Sequence, residues 1–209
     1  MARRAALVAL AALLVLPAAA RADGDPASDF LISERVFLPY DTKISSTDQQ
    51  RLTGTVLAAT RSGFRIRVAL IGTDYDLGSV TVLWKQPQTY AHFLGVELSF
   101  IHTTPLLTVM PNGMGFYWKG HDPRAANALL ATITVPPGGA GLAQAAVAAV
   151  KKLAALYGVR VGAPVKVASQ PASSAHRNRD DRIIIIAVVA ALLVAGITVR
   201  LVLNAGRPR

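Results

Sequence analysis

Two apolar runs lie at the ends of the chain, and they differ in length and in flanking residues. Near the N-terminus, Ala5 to Leu16 contains only Ala, Leu and Val. Near the C-terminus, Ile183 to Val199 contains no charged residue, and the apolar stretch continues past Arg200 to Leu203. The region between these runs shows the shorter periodicities of helices and strands. The ends and the middle of the chain therefore predict different environments.

The N-terminal run predicts a secretory signal peptide covering residues 1–22. A Met-Ala-Arg-Arg start precedes the apolar run, and Ala20-Arg21-Ala22 follows it as a small-residue cleavage site. We predict cleavage near Ala22. The alternative is an uncleaved membrane anchor, but the run is shorter than the about 20 residues that a spanning helix needs.

The C-terminal run predicts one transmembrane helix over residues 183–203. At about 1.5 Å per residue, that stretch covers about 30 Å, the thickness of the hydrocarbon core. Arg200 is close enough to the end to reach the headgroups. Basic residues flank both sides of the span, so the signal peptide decides the orientation. We expect a single-pass cell-membrane protein with an extracytoplasmic N-terminal domain and a short cytoplasmic tail, residues 204–209.

A polar segment connects the predicted domain to the predicted span. Residues 163–182 are rich in Pro, Ala, Ser and charged side chains, and they end in the basic stretch His176 to Arg182. Such a composition is typical of a flexible linker, and some 20 residues have a root-mean-square reach of about 25 Å. The segment is therefore predicted to be a flexible basic tether.

Helical periodicity divides the domain, residues 23–162, into several amphipathic segments. Ser46 followed by Gln49 fits a capping box, and Gly63 ends this first helix. Pro87 suits the first position of a second helix, and Asp122-Pro123 precedes a third over residues 124–131. A final helix ends at Gly158. The apolar stripes predicted to face the core are Leu52, Val56 and Ala59; Tyr90, Phe93 and Leu94; and Leu142, Ala146, Ala149, Leu153 and Leu156.

Alternating segments predict three strands. From Phe64 to Ile71, every second residue is apolar, so Arg65 and Arg67 are expected on the other, solvated face at the strand edge. Residues 105–110 and 114–118 are predicted to pair through the hairpin turn Pro111-Asn-Gly. Strands and helices that alternate in this way predict a single α/β sandwich.

Composition first suggests a nucleic-acid binder, but the position of the charges argues against it. The chain has 22 Lys and Arg against 12 Asp and Glu, a formal net charge of +10. Residues 23–162 hold 12 of these basic and 10 of these acidic residues, so the domain itself has a charge of +2. We therefore predict no nucleic-acid partner. The absence of Cys excludes disulfides, thiolate metal sites and a Cys nucleophile.

Candidate chemistry follows the first long predicted strand. Asp74 and Asp76 come directly after it, where ligands of open α/β sheets often bind, and their oxygens suit Ca²⁺ or Mg²⁺. The alternative is a polar turn in which Asp76 or Ser79 caps the next helix. No pair among His92, His102, His121 and His176 has zinc-site spacing, and His92 is expected to be a partly buried core residue. No catalytic residue and no bound cofactor other than that metal is predicted.

Several segments resemble the TPM-like domain family. They are Val36-Phe-Leu, the helix Ser-Ser-Thr-Asp-Gln-Gln-Arg-Leu, the strand Phe64 to Ile71, Tyr90-Ala-His-Phe-Leu, Leu106-Leu-Thr-Val-Met-Pro-Asn-Gly-Met-Gly and the Ala-rich final helix. The similarity covers about residues 30–161 and is strongest to bacterial exported, C-terminally anchored members. It implies a three-layer α/β sandwich together with the C-terminal transmembrane helix.

The resemblance implies an accessory role more readily than a defined reaction. The family is named for thylakoid-lumen, photosystem-repair and acetylcholine-receptor-associated members, and a phosphatase activity has been proposed for some plant relatives. No catalytic motif carries over residue by residue. The first expectation is therefore a non-catalytic domain that assists assembly or quality control of envelope or membrane proteins. The alternative is an envelope hydrolase, such as a metal-assisted phosphatase that uses Asp74 and Asp76.

Overall fold

The computed structural model describes residues 24–166. The predicted signal peptide, the transmembrane helix at 183–203, the tail at 204–209 and most of the predicted tether lie outside these residues. The elements are α1 (Pro26–Ser33), β1 (Val36–Phe37), α2 (Ser46–Arg61), β2 (Arg67–Leu70), a 3₁₀ segment (Asp74–Leu83), α3 (Pro87–Leu98), β3 (Leu106–Met110), β4 (Gly113–Tyr117), α4 (Arg124–Ala131) and α5 (Gly138–Leu156).

The four strands form one mixed sheet in the order β1-β2-β3-β4. Strands β1, β2 and β3 are parallel, with Val68 opposite both Val36 and Leu107, and β4 returns antiparallel to β3. Parallel neighbours need crossover connections, which α2 supplies from β1 to β2 and α3 from β2 to β3. The β3–β4 hairpin turns through Pro111 and Asn112, as predicted from their chemistry.

Successive side chains of the strands point to opposite faces of the sheet and pack into two separate cores. Along β2, Val68 and Leu70 enter one core, whereas Ala69 and Ile71 enter the other. Helices α2, α4 and α5 contribute to the first core, and α1, the 3₁₀ segment and α3 contribute to the second. The sheet therefore lies between two helical layers, and the predicted α/β class is confirmed.

The final helix packs along α2 through small side chains. Ala146, Ala149 and Leu153 are fully buried, as the apolar stripe predicts. Leu156 was predicted to share that stripe, but it is 44% exposed because it lies at the end of α5, where the helix has passed the core. Gly158 follows with φ 77°, a left-handed conformation that suits glycine and ends the helix.

The cap of α2 lies one residue earlier than predicted. The hydroxyl of Ser45, not Ser46, accepts a hydrogen bond from the backbone N–H of Asp48 at 3.1 Å and donates to the Asp48 carboxylate at 2.7 Å. The predicted partner Gln49 instead donates its side-chain amide to the carbonyl of Ile44. An ionised carboxylate accepts more strongly than a neutral amide, which favours the earlier pair.

The sequence did not predict α1, and this helix also explains why Arg67 is buried where it was expected to be solvated. Helix α1 begins at Pro26 after the N-cap Asp25 and covers the second face of the sheet. As a result Arg67, predicted to be solvated, is only 6% exposed. Its Nε donates to the carbonyl of Leu31 at 2.8 Å, and Nη1 donates to Thr104 Oγ1 at 2.6 Å. Arg65 is exposed, as expected.

The start of the predicted tether packs against the domain. The backbone N–H of Val165 donates to the carbonyl of Gly54 in the middle of α2, at 3.1 Å. A Cβ at Gly54 would overlap the backbone of Val165, so glycine is what lets the chain approach the helix so closely. The backbone at Val165, three residues beyond Gly162, therefore packs on α2.

Candidate functional site

The candidate site is the region between the loops that follow β1 and β2, at the carboxyl ends of these strands, and we call this region the crevice. The chain after β1 passes to α2 on one face of the sheet, and the chain after β2 passes to the 3₁₀ segment on the other. Where neighbouring connections diverge in this way, an open α/β sheet commonly binds its ligand. Residues 38–41 form one wall of the crevice and residues 72–76 form the other.

Asp76 joins the two walls of the crevice. Its Oδ1 accepts from the backbone N–H of Tyr40 at 2.7 Å, and Oδ2 accepts from the N–H groups of Gly72 at 2.8 Å and Thr73 at 2.9 Å. Asp76 is fully buried and completes a capping box with Thr73 at the start of the 3₁₀ segment. The capping alternative stated for Asp76 therefore describes its position in the fold.

Two opposing effects act on the pKa of Asp76. Burial is the largest and raises the pKa, and the nearby charge of Asp41 acts in the same direction. The three backbone N–H donors lower it, because they stabilise the ionised carboxylate. A carboxylate surrounded by donors has few free lone pairs left, so Asp76 is a structural clamp first.

Asp74 has a different environment, although it is only two residues away. Its side chain is exposed at the first turn of the 3₁₀ segment. Asp41 is exposed on the other wall, and the ring of Tyr75, which is 59% exposed, makes an edge contact with Tyr40 at 6.4 Å. The outer rim of the crevice thus offers two solvated carboxylates beside an aromatic ring.

Within residues 24–166, no three His, Asp or Glu side chains converge in a metal-binding arrangement. The sequence analysis missed Asp41, although it lies three residues after the segment Val36-Phe-Leu, whose first two residues form β1. Its signal was its position after a strand, and a two-residue strand is too short to be recognised by periodicity.

The histidines serve in separate local contacts. His92 is exposed and stands edge-on to Tyr117 at 5.4 Å, so the expectation of a partly buried core residue was wrong. His102 places Nε2 at 2.7 Å from the carbonyl of Ile32, and His121 stacks on Trp118 with centroids 3.7 Å apart. His176 lies outside the described residues.

A buried polar pair was also missed. Tyr90 donates its hydroxyl to the Asp25 carboxylate, with 2.8 and 2.9 Å to its two oxygens, and the N–H of Ala27 adds a bond at 3.1 Å. Tyr90 is fully buried and Asp25 is 3% exposed. Burial raises the pKa of Asp25 to about 7 and raises that of Tyr90. The pair joins α1 to α3 over a separation that no local pattern reveals.

The two glycines of the β3–β4 hairpin, Gly113 and Gly115, are explained by different structural requirements. Gly113 has φ 150°, a value that follows from its place after the turn. Gly115 lies beneath the start of α3, where a Cβ would overlap the carbonyl of Pro87, and the neighbouring Thr108 donates to that same carbonyl at 2.8 Å. Both glycines therefore have structural explanations, as the hairpin interpretation required.

The fold and the crevice define a three-layer α/β domain with a clamped strand-end site. Comparison of the chain with family models, with curated proteins and with solved structures finds no match. One described helix, Gly138–Leu156, is long and apolar enough to cross a membrane by length and composition alone. Of its most apolar window, 56% is buried, as in the core helix of a domain.

Proposed function

We propose that this chain is a membrane-tethered, extracytoplasmic accessory domain of the TPM-like type that binds and assists other envelope proteins. The observation that carries the proposal is that the crevice has one carboxylate with a structural role and two that are free to contact a partner. Asp76 is committed to backbone groups on both walls, whereas Asp41, Asp74 and Tyr75 are exposed on the rim. Such a rim provides adaptable polar and aromatic contacts on a rigid scaffold.

The apolar ends of the sequence support the location. A signal peptide over 1–22 exports the domain, and a helix over 183–203 retains it at the membrane, with the basic tail inside. Protease added outside intact cells is expected to remove the domain, whereas full protection would contradict this topology.

Photocrosslinkers placed at Tyr75 and at exposed Lys152 compare the rim with a distant face in native membranes. The rim position should give the more abundant crosslinks.

A second candidate function is a metal-assisted phosphatase that uses Asp74 and Asp76. The exposed carboxylates of Asp74 and Asp41 favour it, because carboxylate oxygens are the ligands that Ca²⁺ and Mg²⁺ prefer. Calorimetry with either ion tests binding, and turnover of a phosphate ester tests activity. Asp74→Ala should abolish both under this alternative, whereas Asp29→Ala, which removes an exposed carboxylate on α1, should leave both unchanged.

A further inference from the structure

The amino ends of the parallel strands form the edge of the sheet opposite the crevice. Helices α1 and α3 end there, joined by the contact between His102 Nε2 and the carbonyl of Ile32. Large apolar side chains are exposed at these helix ends: Phe100 at 86%, Ile101 at 57%, Ile32 at 42% and Val96 at 38%. We call these four residues the amino-edge patch. Patches of this kind mark contacts with proteins or membranes.

Three arginines accompany the patch. Arg35 precedes β1, and Arg65 and Arg67 lie at the start of β2. They are close enough to influence one another: burial, together with the charges of Arg35 and Arg65, lowers the pKa of Arg67 to about 10. Arg65 is exposed, whereas Arg67 is buried and donates to the carbonyl of Leu31 and to Thr104 Oγ1. Nη1 of Arg35 is buried without a hydrogen bond.

Other charges at this edge strengthen the imbalance. Exposed basic residues at the ends of neighbouring elements are Arg61, Lys119 and Arg160. The acidic residues at the edge are Glu34 and Asp122, and Asp29 and Glu97 lie further back along α1 and α3. The opposite edge carries the exposed Asp41 and Asp74 and the buried Asp76, together with the exposed Lys43 and Lys85. The domain is therefore nearly neutral in total, and its basic excess lies at the amino edge.

Exposed apolar side chains beside exposed basic residues are the combination that binds an anionic bilayer surface. Aliphatic and aromatic groups enter the boundary between headgroups and acyl chains, and each basic residue near the surface adds about 1 kcal/mol of attraction. A protein partner would need its own acidic and apolar surface. The bilayer already provides both.

The length of chain beyond the described residues brings that bilayer within reach. The description ends at Lys166 and the predicted span begins at Ile183, which leaves residues 167–182 between them. Such a segment extends to at most about 55 Å and has a root-mean-square span of about 22 Å. A domain of this size has a radius of gyration of about 14 Å, so every face can reach the surface. Tethering also keeps the effective concentration of lipid high.

We propose that the amino-edge patch docks on an anionic phospholipid surface, with Phe100 and Ile101 at the headgroup boundary and the exposed Arg65 facing the phosphates. This inference rests on the proposed membrane tether. Docking turns the crevice away from the bilayer, so the rim around Asp74 faces the partners that approach from outside.

The test uses the full chain, after signal-peptide removal, reconstituted in vesicles. Because the chain contains no Cys, a single introduced cysteine carries an environment-sensitive fluorophore. Thr103→Cys places it beside the patch, and Val82→Cys places it at an exposed apolar position on the 3₁₀ segment. Vesicles contain phosphatidylglycerol or phosphatidylcholine alone, with brominated acyl chains as quenchers. Flotation of the vesicles measures tethering separately.

We expect brominated phosphatidylglycerol to quench the label at position 103 and to leave the label at 82 unchanged. In phosphatidylcholine the quenching at 103 should fall. Arg65→Gln should lower the ratio of docked to undocked domains about five-fold, the equivalent of about 1 kcal/mol, whereas Arg51→Gln on the exposed side of α2 should not. Phe100→Ser should reduce the quenching, and the matched Val82→Ser should not.

Two results would overturn the docking proposal while leaving the tether intact. One is a chain that floats with the vesicles but shows equal, weak quenching at positions 103 and 82. The other is shielding of the label at position 103 that increases with protein density but is not accompanied by lipid quenching. That result would assign the patch to contact between copies of the chain. A chain that fails to float would instead refute the tether, and the docking proposal with it.

Discussion

Asp25 shows how burial gives one carboxyl a large effect on stability. Its pKa is about 7 in the folded domain, against an ordinary value of 3.8, because burial disfavours the charge. The folded state therefore holds a proton that the unfolded chain releases between these two values. Stability from this group is complete below about pH 4 and is lost as the pH rises through about 7.

We accordingly expect the free energy of unfolding of residues 23–166 to fall between pH 4.5 and pH 7.5. About three pKa units set an upper limit of about 4 kcal/mol for Asp25. Urea unfolding should show a flatter profile for Asp25→Asn, because the amide still accepts from Tyr90 but does not ionise. Asp76 and Glu97 have pKa values raised in the same direction, so a residual slope should remain. An unchanged slope would contradict the assignment to Asp25.

The two candidate metal ligands should differ sharply in their effect on stability. Asp76→Ala leaves three backbone N–H groups without their acceptor and is expected to destabilise the domain by about 2–4 kcal/mol. Asp74→Ala removes an exposed side chain and should change stability by less than about 0.5 kcal/mol. Chemical unfolding of both variants checks this. Equal losses would mean that Asp74 also holds the crevice together.

At the level of elements, the sequence predicted what depends on local periodicity. Helices α2, α3 and α5 and the β3–β4 hairpin were found because each carries its own stripe or turn chemistry. Helix α1 and strand β1 were missed because each is too short for its pattern to differ from chance. Arg67 was wrongly predicted to be solvated because α1, the helix that covers that face of the sheet, was absent from the prediction.

The site was predictable only in part, for a related reason. The position of Asp74 and Asp76 after a strand pointed to the crevice. Their different roles depend on Tyr40, whose N–H reaches Asp76 from 36 residues away. The pairing of Asp25 with Tyr90 spans 65 residues, and it likewise depends on how the helices pack.

The contact between α2 and the segment at Val165 predicts an unusual effect of a mild substitution. Gly54→Ala raises helix propensity by about 1 kcal/mol, yet the added Cβ must displace the backbone of Val165. We expect trypsin to cleave more rapidly after Lys166 while α2 remains folded by circular dichroism. Gly162→Ala is the control, because a Cβ there meets nothing within 4 Å. Equal cleavage rates in both variants would show that the segment is not held by this contact.

For the whole molecule, the arrangement of charge and apolar surface is more informative than their totals. The net charge of +10 suggested a polyanion partner, whereas the nearly neutral domain gathers its basic excess and exposed apolar side chains at one sheet edge. Truncation after residue 182 should release the domain from the membrane into the soluble extracytoplasmic fraction. Fractionation of cells expressing the truncated and full chains tests this. Retention of the truncated chain at the membrane would show that another part of the protein anchors it.

The hydrogen bond from Val165 to Gly54 has a mechanical consequence. A tension applied from the membrane along the chain reaches this bond before it reaches α5, and the bond anchors the pull to the middle of α2. The load then acts on a helix that packs against both β1 and α5, and it does not separate the last helix from its C-terminal end. A tethered domain can in this way resist lateral drag from a bound partner without loosening its own core.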